Sequence, residues 1–344
     1  MKVYLQYPWR YSDSPYYKYL ITNPPEGIKY LNTQQTGVIT SKKKFFWMSK
    51  AKSFLRAILR LVKIPYITLT RKGNYDLIHC CHCLSLNKTP WVVDVEHYWN
   101  FASSGEISYS NIGKERIKKF LKNPYCKKIL AWSYDCRKMI VKNMEDREIT
   151  NKIEVVYPAI PLPELNKKKK RKEITLLFVA RYFNLKGGNE VLKVFDSLCQ
   201  KHTHIRCVII SNVPSKIKLK YQGHSQIKIF DLMPQKEVFK FMEQADIFVY
   251  PGYSDTFGFA LIEAMSYGLP IVTVDGFAKK EIVGNCGIVA KDITEMITAT
   301  DDLINLPYIR ELMGSNARKE VAYGKFSMEH RNGQLKDIYE GCLE

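Results

Sequence analysis

The chain has 344 residues and a mass of 40.1 kDa, enough for two domains of ordinary size. With 46% apolar and 25% charged residues it has a globular balance, and 18 glycines and 15 prolines exclude a collagenous or low-complexity chain. Nine cysteines, an odd number, do not suit a disulfide scaffold, and 53 basic against 34 acidic residues leave a net charge of +19.

Short apolar runs alternate with helical patterns along the chain. Strands are predicted at Val3–Gln6, Asp76–Cys80, Trp91–Val95 and Ile129–Trp132, with amphipathic stretches at 47–63, 111–122 and 134–144. A break follows. Tyr157-Pro158-Ala159-Ile160-Pro161-Leu162-Pro163 is stiffened by three prolines, and the run Lys167–Lys172 is entirely basic, which reads as a solvated linker over 158–172. The pattern then restarts. Strands are predicted at Ile174–Val179, Ile205–Ile210, Ile227–Phe230, Ile247–Tyr250 and Pro270–Val274, with helices at Gly188–Lys201 and Phe259–Tyr267 and a last one at Ser327–Leu343. Strand and helix in alternation argue for parallel sheets covered by helices.

Charge is unevenly placed. Residues 1–156 carry 27 basic and 12 acidic side chains, and residues 157–344 carry 26 and 22, so an anionic partner is expected mainly on the first half. Residues 41–72 hold ten Lys or Arg and no acid. There Trp47, Met48, Ala51, Phe54, Leu55, Ile58, Leu59 and Val62 recur at helical spacing, with Lys50, Lys52, Arg56, Arg60 and Lys63 between them. Such a basic amphipathic helix suits an anionic membrane surface or, more simply, a helix packed on its own sheet. Met1-Lys2 opens on too few apolar residues for a secretory signal, and no run of about 18 uncharged apolar residues occurs. The expected location is cytoplasmic, peripheral on an inner membrane face.

Two segments carry chemistry. In the first, Tyr250-Pro251-Gly252-Tyr253-Ser254-Asp255-Thr256-Phe257-Gly258-Phe259, a buried strand ends in a Pro-Gly turn, a polar loop and a helix that Gly268-Leu269-Pro270 terminates. Helical amides there point toward the strand's carboxyl end and suit a phosphate or sugar oxygen. Glu263 stands inside that helix among apolar residues and needs a polar partner. In the second, Val179-Ala180-Arg181-Tyr182-Phe183-Asn184-Leu185-Lys186-Gly187-Gly188 again runs strand, loop, helix. Two cations and two glycines at the carboxyl end of a parallel strand make a diphosphate site.

From about 173 to 327 these residues resemble the retaining glycosyltransferases of family 4. The likeness rests on the Arg-x4-Lys-Gly loop, the acid-x7-Glu helix, the Gly268 turn, Glu281-Ile282-Val283 before Gly287, and Gly314-Ser315-Asn316-Ala317-Arg318. It implies an α/β chain of GT-B fold, two facing Rossmann-like domains with a cleft between them. The implied division is an acceptor-side domain over 1–157, a linker over 158–172, a nucleotide-sugar domain over 173–326, and a last helix over 327–344 that packs back on the first domain. The resemblance makes Arg181 and Lys186 the grip on the donor diphosphate, beside Gly187. Glu263 receives the ribose hydroxyls, and Asp255 orients the transferred sugar with the amides of Thr256, Phe257, Gly258 and Phe259. Asp231 and Leu232 flank the base. The family usually has Glu where Asp255 stands, so the reach to the sugar is one methylene shorter.

In the first half, Thr89–Tyr98 resembles the family strand that ends in a histidine. Glu96 and His97 both fit that position, and His97 has the chemistry for it. After the first strand the family often has a glycine-rich loop, where this chain reads Tyr7-Pro8-Trp9-Arg10, leaving Arg10 as a candidate phosphate contact against the plainer reading of a surface arginine. His79-Cys80-Cys81-His82-Cys83 looks like a metal cluster, yet neighbours on a strand point to opposite faces, so a core strand is the better reading.

The expected activity is transfer of a sugar from a nucleotide sugar to a glycan or lipid-linked acceptor, with retention. The chain has no Asp-x-Asp motif, and Arg181 with Lys186 stand where a divalent metal would stabilise the leaving diphosphate, so no metal or other cofactor is expected. No nucleic-acid module is recognised. The alternatives are another GT-B enzyme, either an inverting transferase or a sugar-nucleotide epimerase, and a catalytically silent sugar-nucleotide-binding protein.

Overall fold

The structure, a computed structural model, describes residues 1–7, 14–33, 50, 54, 57–58, 60–102, 104–165 and 173–344. Arg10, Lys52 and Arg56, named above, lie outside the described residues, as do most of the basic stretch 41–59 and all of the run 166–172. The chain forms two compact units, one of Met1–Ala159 with Glu329–Glu344, the other of Ile160–Met328.

In the first unit the strands are β1 (Lys2–Gln6), β2 (Lys29–Leu31), β3 (Ile67–Thr68), β4 (Leu77–Cys81), β5 (Leu84–Ser85), β6 (Trp91–Val95), β7 (Cys126–Ala131) and β8 (Ile153–Val155). Six of them make a parallel sheet in the order β2-β1-β4-β6-β7-β8, and β3 pairs with β5. Every residue of β4 and β6 is buried, as continuous apolar strands covered on both faces should be. The helices Asn111–Leu121 and Tyr134–Met144 each turn one stripe inward, Gly113, Ile117 and Leu121 in one, Cys136, Ile140 and Met144 in the other. Ser110 and Ser133 cap them, accepting from the amides of Gly113 (3.1 Å) and Cys136 (3.0 Å).

Two polar side chains interrupt this core and meet each other. Asp94 on β6 is fully buried; it accepts the Tyr17 hydroxyl at 2.9 Å and the His82 amide at 3.2 Å, and faces His79 Nε2 at 3.4 Å. His79 Nδ1 meets the Tyr339 hydroxyl at 2.6 Å, and Tyr339 meets the Tyr30 hydroxyl at 3.1 Å. Burial pushes the Asp94 carboxyl up, but the hydrogen bond from His79, the charges on His82 and His79, and the Tyr17 hydroxyl outweigh it and hold it below the usual range. Thus the His/Cys segment serves as core strand, and among the described residues no three His, Cys, Asp or Glu are grouped to hold a metal. Tyr339 belongs to the helix Met328–Gly341, whose buried Arg331 donates to the carbonyl of Asn23 at 2.9 Å.

The second unit repeats the plan with β9 (Ile174–Ala180), β10 (Ile205–Ser211), β11 (Ile227–Phe230), β12 (Ile247–Val249), β13 (Ile271–Val274) and β14 (Gly287–Ala290), all parallel in the order β11-β10-β9-β12-β13-β14. From β9 the chain moves outward one way through β10 and β11, then returns to lay β12, β13 and β14 on the other side. The switch of direction therefore lies between β9 and β12, the place at the carboxyl ends of an open parallel sheet where such folds generally bind their ligands.

Two of the sequence motifs act here in packing. Gly314, in the helix Pro307–Ala322, lies so close to the end of Phe259–Ser266 that a Cβ on it would sit 2.4 Å from the Gly268 carbonyl oxygen. Arg318 donates to the carbonyls of Ser266 at 2.5 Å and Pro163 at 2.9 Å. In the proline-rich segment Ala159 and Ile160 are buried, and the exposed stretch begins at Pro161.

Candidate donor site at the switch between β9 and β12

The loop after β9, residues 181–187, and the loop after β12, residues 250–258, leave adjacent parallel strands and are bonded to each other. The Gly252 amide donates to the Lys186 carbonyl at 3.1 Å, and the Ser254 hydroxyl donates to the Leu185 carbonyl at 3.2 Å. Gly187 enters the helix Gly188–Lys201 at φ +86°, and a Cβ there would lie 2.7 Å from Pro251 Cβ. Both the left-handed backbone and the close approach require glycine.

Lys186 and Asp255, 69 positions apart, form an ion pair, Nζ to Oδ1, with only 17% and 16% of their side chains exposed. The second carboxylate oxygen of Asp255 accepts the Tyr250 hydroxyl. Burial, reinforced by the Asp255 charge, pushes the Tyr250 phenol well above its ordinary value, so it stays protonated as the donor. The Tyr250 ring is itself stacked on Phe178 and Phe248 (centroids 5.8 and 5.6 Å). Asp255 is thereby held at both oxygens, at one by Lys186 of the first loop and at the other by Tyr250, whose ring packs on the sheet.

Gly258 precedes the helix Phe259–Ser266 at φ +86°, and Thr256 and Phe257 are buried beneath the loop, with Phe259 half-buried. Glu263, about one turn along, is half-buried, and its Oε1 accepts the Gln235 side-chain amide at 2.8 Å. Arg181 is exposed at the start of the first loop. Asp231 lies at the end of β11 in an ion pair with Lys218, and Leu232 beside it is exposed. The structure therefore brings Lys186, Gly187, Asp255 and the 256–259 turn into one place.

Three residues of this region had no role in the sequence reading: Tyr250, Gln235 and Lys279. Tyr250 sat inside the motif as the end of a strand, and Gln235 is an ordinary helix-start residue. Lys279 carried no signal, since Lys279-Lys280 reads as a surface pair. It is in fact 1% exposed, and its Nζ donates to the carbonyls of Pro251 (2.5 Å) and Val274 (2.9 Å).

His97, Glu96 and the basic residues belong to the first unit. His97 is buried and caps the turn Tyr98–Phe101, its ring accepting from the Trp99 amide at 3.5 Å and lying 3.8 Å from the Trp99 ring. Burial draws its pKa down to about 4, so it is a neutral hydrogen-bonding ring at pH 7. Glu96 is half-buried beside it. Arg60 and Lys63 face Glu106 at 3.3 and 3.7 Å, and Lys50 is exposed.

Residues 163–320 match the family model of glycosyl transferases group 1. The GPI3 subunit of phosphatidylinositol N-acetylglucosaminyltransferase from Saccharomyces cerevisiae is 23% identical over 210 residues, 57% of this chain and 46% of that protein. The chain thus spans about half the length of the curated relatives it matches. Among solved structures, a glycosyltransferase from Rickettsia africae superposes with a TM-score of 0.69 at 12% identity, covering 100% of this chain and 98% of that one. Anabaena Alr3699/HepE, in complex with UDP and glucose, gives 0.65 at 12%, covering 99% and 100%. The chain has the GT-B fold, residues 163–320 carry its group 1 glycosyl transferase match, and the two together support a GT-B glycosyltransferase.

Proposed function

We propose that the chain is a retaining glycosyltransferase of family 4, with the donor nucleotide sugar held by residues 173–326 and the acceptor by residues 1–157. The observation that carries this reading is the pairing of Lys186 with Asp255 across the β9–β12 switch. A cation and a carboxylate at the carboxyl ends of adjacent parallel strands match the two ends of a glycosyl diphosphate. Its phosphates need positive charge, and its sugar hydroxyls need an acceptor.

In this reading Lys186 turns from Asp255 to the donor's diphosphate, joined by Arg181. The bond from the anomeric carbon to the phosphate oxygen breaks, and its electron pair goes to that oxygen. The two cations stabilise the charge that develops there. The acceptor hydroxyl oxygen bonds to the anomeric carbon on the same face, and its proton passes to the departing phosphate oxygen. Asp255, released from Lys186 and still held by Tyr250, accepts hydrogen bonds from the sugar. Glu263, braced by Gln235, accepts the ribose hydroxyls. Cationic side chains supply the charge stabilisation, so the reaction proceeds without a divalent metal. The HepE structure holds UDP, which makes uridine diphosphate sugars the first donors to try. A relative named for a phosphatidylinositol acceptor, with the basic stretch 41–72, favours a lipid-linked hydroxyl at an anionic surface. Among the described residues no helix is long and apolar enough to cross a membrane, and the proposed site of action is the cytoplasmic face.

The test is a panel of nucleotide sugars screened by thermal stabilisation with and without EDTA, followed by assignment of the product's anomeric configuration. Stabilisation that survives EDTA, together with a retained anomer, supports the reading. Metal-dependent binding or an inverted product refutes it. Lys186→Met should weaken UDP binding by about 10- to 100-fold, as expected for a hydrogen bond to a charged group, and leave uridine binding unchanged. Equal losses for both ligands would remove Lys186 from its role.

A further inference from the structure

Lys279 is the buried lysine of the described residues, at 1% exposure. It opens the helix Lys279–Val283 after β13. Both circumstances are unfavourable to an ammonium: burial strips its water, and a helix start is the positive end of the dipole. Its Nζ reaches the carbonyls of Pro251 and Val274, just past the end of β12 and at the last residue of β13. Those carbonyls flank the root of the 252–258 loop. The charges nearest Lys279 are Asp255 and Asp275, which favour its ammonium, and Lys186, which opposes it. Asp275 is also paired with the exposed Lys280 at 2.6 Å, and the Tyr253 ring lies 5.9 Å from Nζ.

We propose that Lys279 is a positioning residue of the donor site: it ties the ends of β12 and β13 together beneath the 252–258 loop, and supplies the positive charge that remains near Asp255 once Lys186 turns to the diphosphate. This rests on the reading of that loop as a nucleoside diphosphate site. Asp255 then has one mobile cation in front of it and one fixed cation behind it. Without the fixed one, moving Lys186 onto a phosphate would leave the carboxylate facing the donor's negative charge alone. Burial holds the Lys279 ammonium down to about 8, so this fixed charge is present at neutral pH and lost as the pH rises through that value.

The experiment uses the full chain, UDP and uridine as probes, and the variants Lys279→Met and Lys279→Arg. By calorimetry at pH 7, Lys279→Met should bind UDP about 10-fold more weakly and uridine as before, and Lys279→Arg should recover much of the loss. Wild-type UDP affinity should fall through a step near pH 8, and Lys279→Arg, whose guanidinium does not titrate there, should lack that step. Hydrogen exchange of the ligand-free protein should show faster exchange of the 252–258 amides in Lys279→Met. Unchanged UDP affinity in Lys279→Met, or a pH step that persists in Lys279→Arg, overturns the electrostatic role. Unchanged exchange overturns the tether. If wild type binds no UDP, the diphosphate reading falls together with the electrostatic role, and the exchange measurement still decides the tether. Should Lys279→Met fail to fold, the pH comparison of wild type with Lys279→Arg decides the matter.

Discussion

Removing the charge of Asp255 should make the protein bind nucleoside diphosphate more tightly while abolishing transfer. In the free protein Lys186 is committed to Asp255, with Tyr250 holding the other carboxylate oxygen. A diphosphate must break that pair before it can use the lysine. The two side chains are 17% and 16% exposed, so the pair lies between the exposed class, worth about 0–1 kcal/mol, and the fully buried class, where removing one partner costs about 3–5 kcal/mol. A competition penalty of about 1–2 kcal/mol is the reasonable span. Asp255→Asn removes it and keeps an acceptor for Tyr250. The expected gain in UDP affinity is therefore roughly 5- to 30-fold, at about 1.4 kcal/mol per factor of ten. Isothermal titration with UDP, with uridine as the control, measures it directly. Lys186→Met/Asp255→Asn separates this release from simple loss of repulsion between carboxylate and phosphate: the gain should vanish without Lys186. A folded Asp255→Asn that binds UDP no better than wild type, or a gain that survives in the double variant, refutes the competition.

Two further expectations concern stability. Asp94→Asn breaks the buried contact with His79 and should cost about 3–5 kcal/mol. At about 2–4 °C per kcal/mol for a unit of this size, that lowers its Tm by roughly 6–20 °C by calorimetry. The folded Asp94 pKa lies below the unfolded one, so its contribution is fully present above pH about 4 and fades as the pH falls through the folded value. The gap between wild type and Asp94→Asn should narrow in acid, and a gap independent of pH would be inconsistent with an ionised Asp94. Gly314→Ala pits a helix-propensity gain of about 1 kcal/mol against a Cβ only 2.4 Å from the Gly268 carbonyl oxygen. Displacing a backbone costs more than the propensity returns, about 1–3 kcal/mol for overpacking of this kind, so the second unit should lose roughly 2–12 °C of Tm. A stabilised Gly314→Ala would show that the two helices separate freely.

Much of the fold was legible because its signals are local. Trp91–Val95, Ile227–Phe230 and Gly188–Lys201 form at the residues where the apolar runs and the helical periodicity place them. Strands buried on both faces are written as short unbroken runs of Val, Ile and Leu, and their length and β-branched content separate them from the longer, periodic helices. At the candidate site, Lys186 and Asp255 were legible as chemistry, since a cation beside glycines and an acid before a helix start are contiguous patterns. His97 was legible only as a residue type. Its local role, capping the Tyr98–Phe101 turn against Trp99, depends on neighbours that fold back over three residues.

What the amino-acid order determined by itself is where the longer apolar strands and several of the helices lie and which loops carry charged and glycine residues; short strands such as Lys29–Leu31, Ile153–Val155 and Gly287–Ala290 carry too few residues to show a pattern before they pair. Sheet order was decided only in three dimensions. The reversal between β9 and β12 is a property of how six strands assemble, and it is what closes a gap of 69 residues between Lys186 and Asp255. Burial was decided there too. Lys279 and Lys280 are adjacent and identical, yet one is buried against two carbonyls while the other, its side chain 70% exposed, pairs with Asp275. Successive side chains on a helix point about 100° apart, so the packing around the helix, rather than the residue, selects which ammonium loses its water.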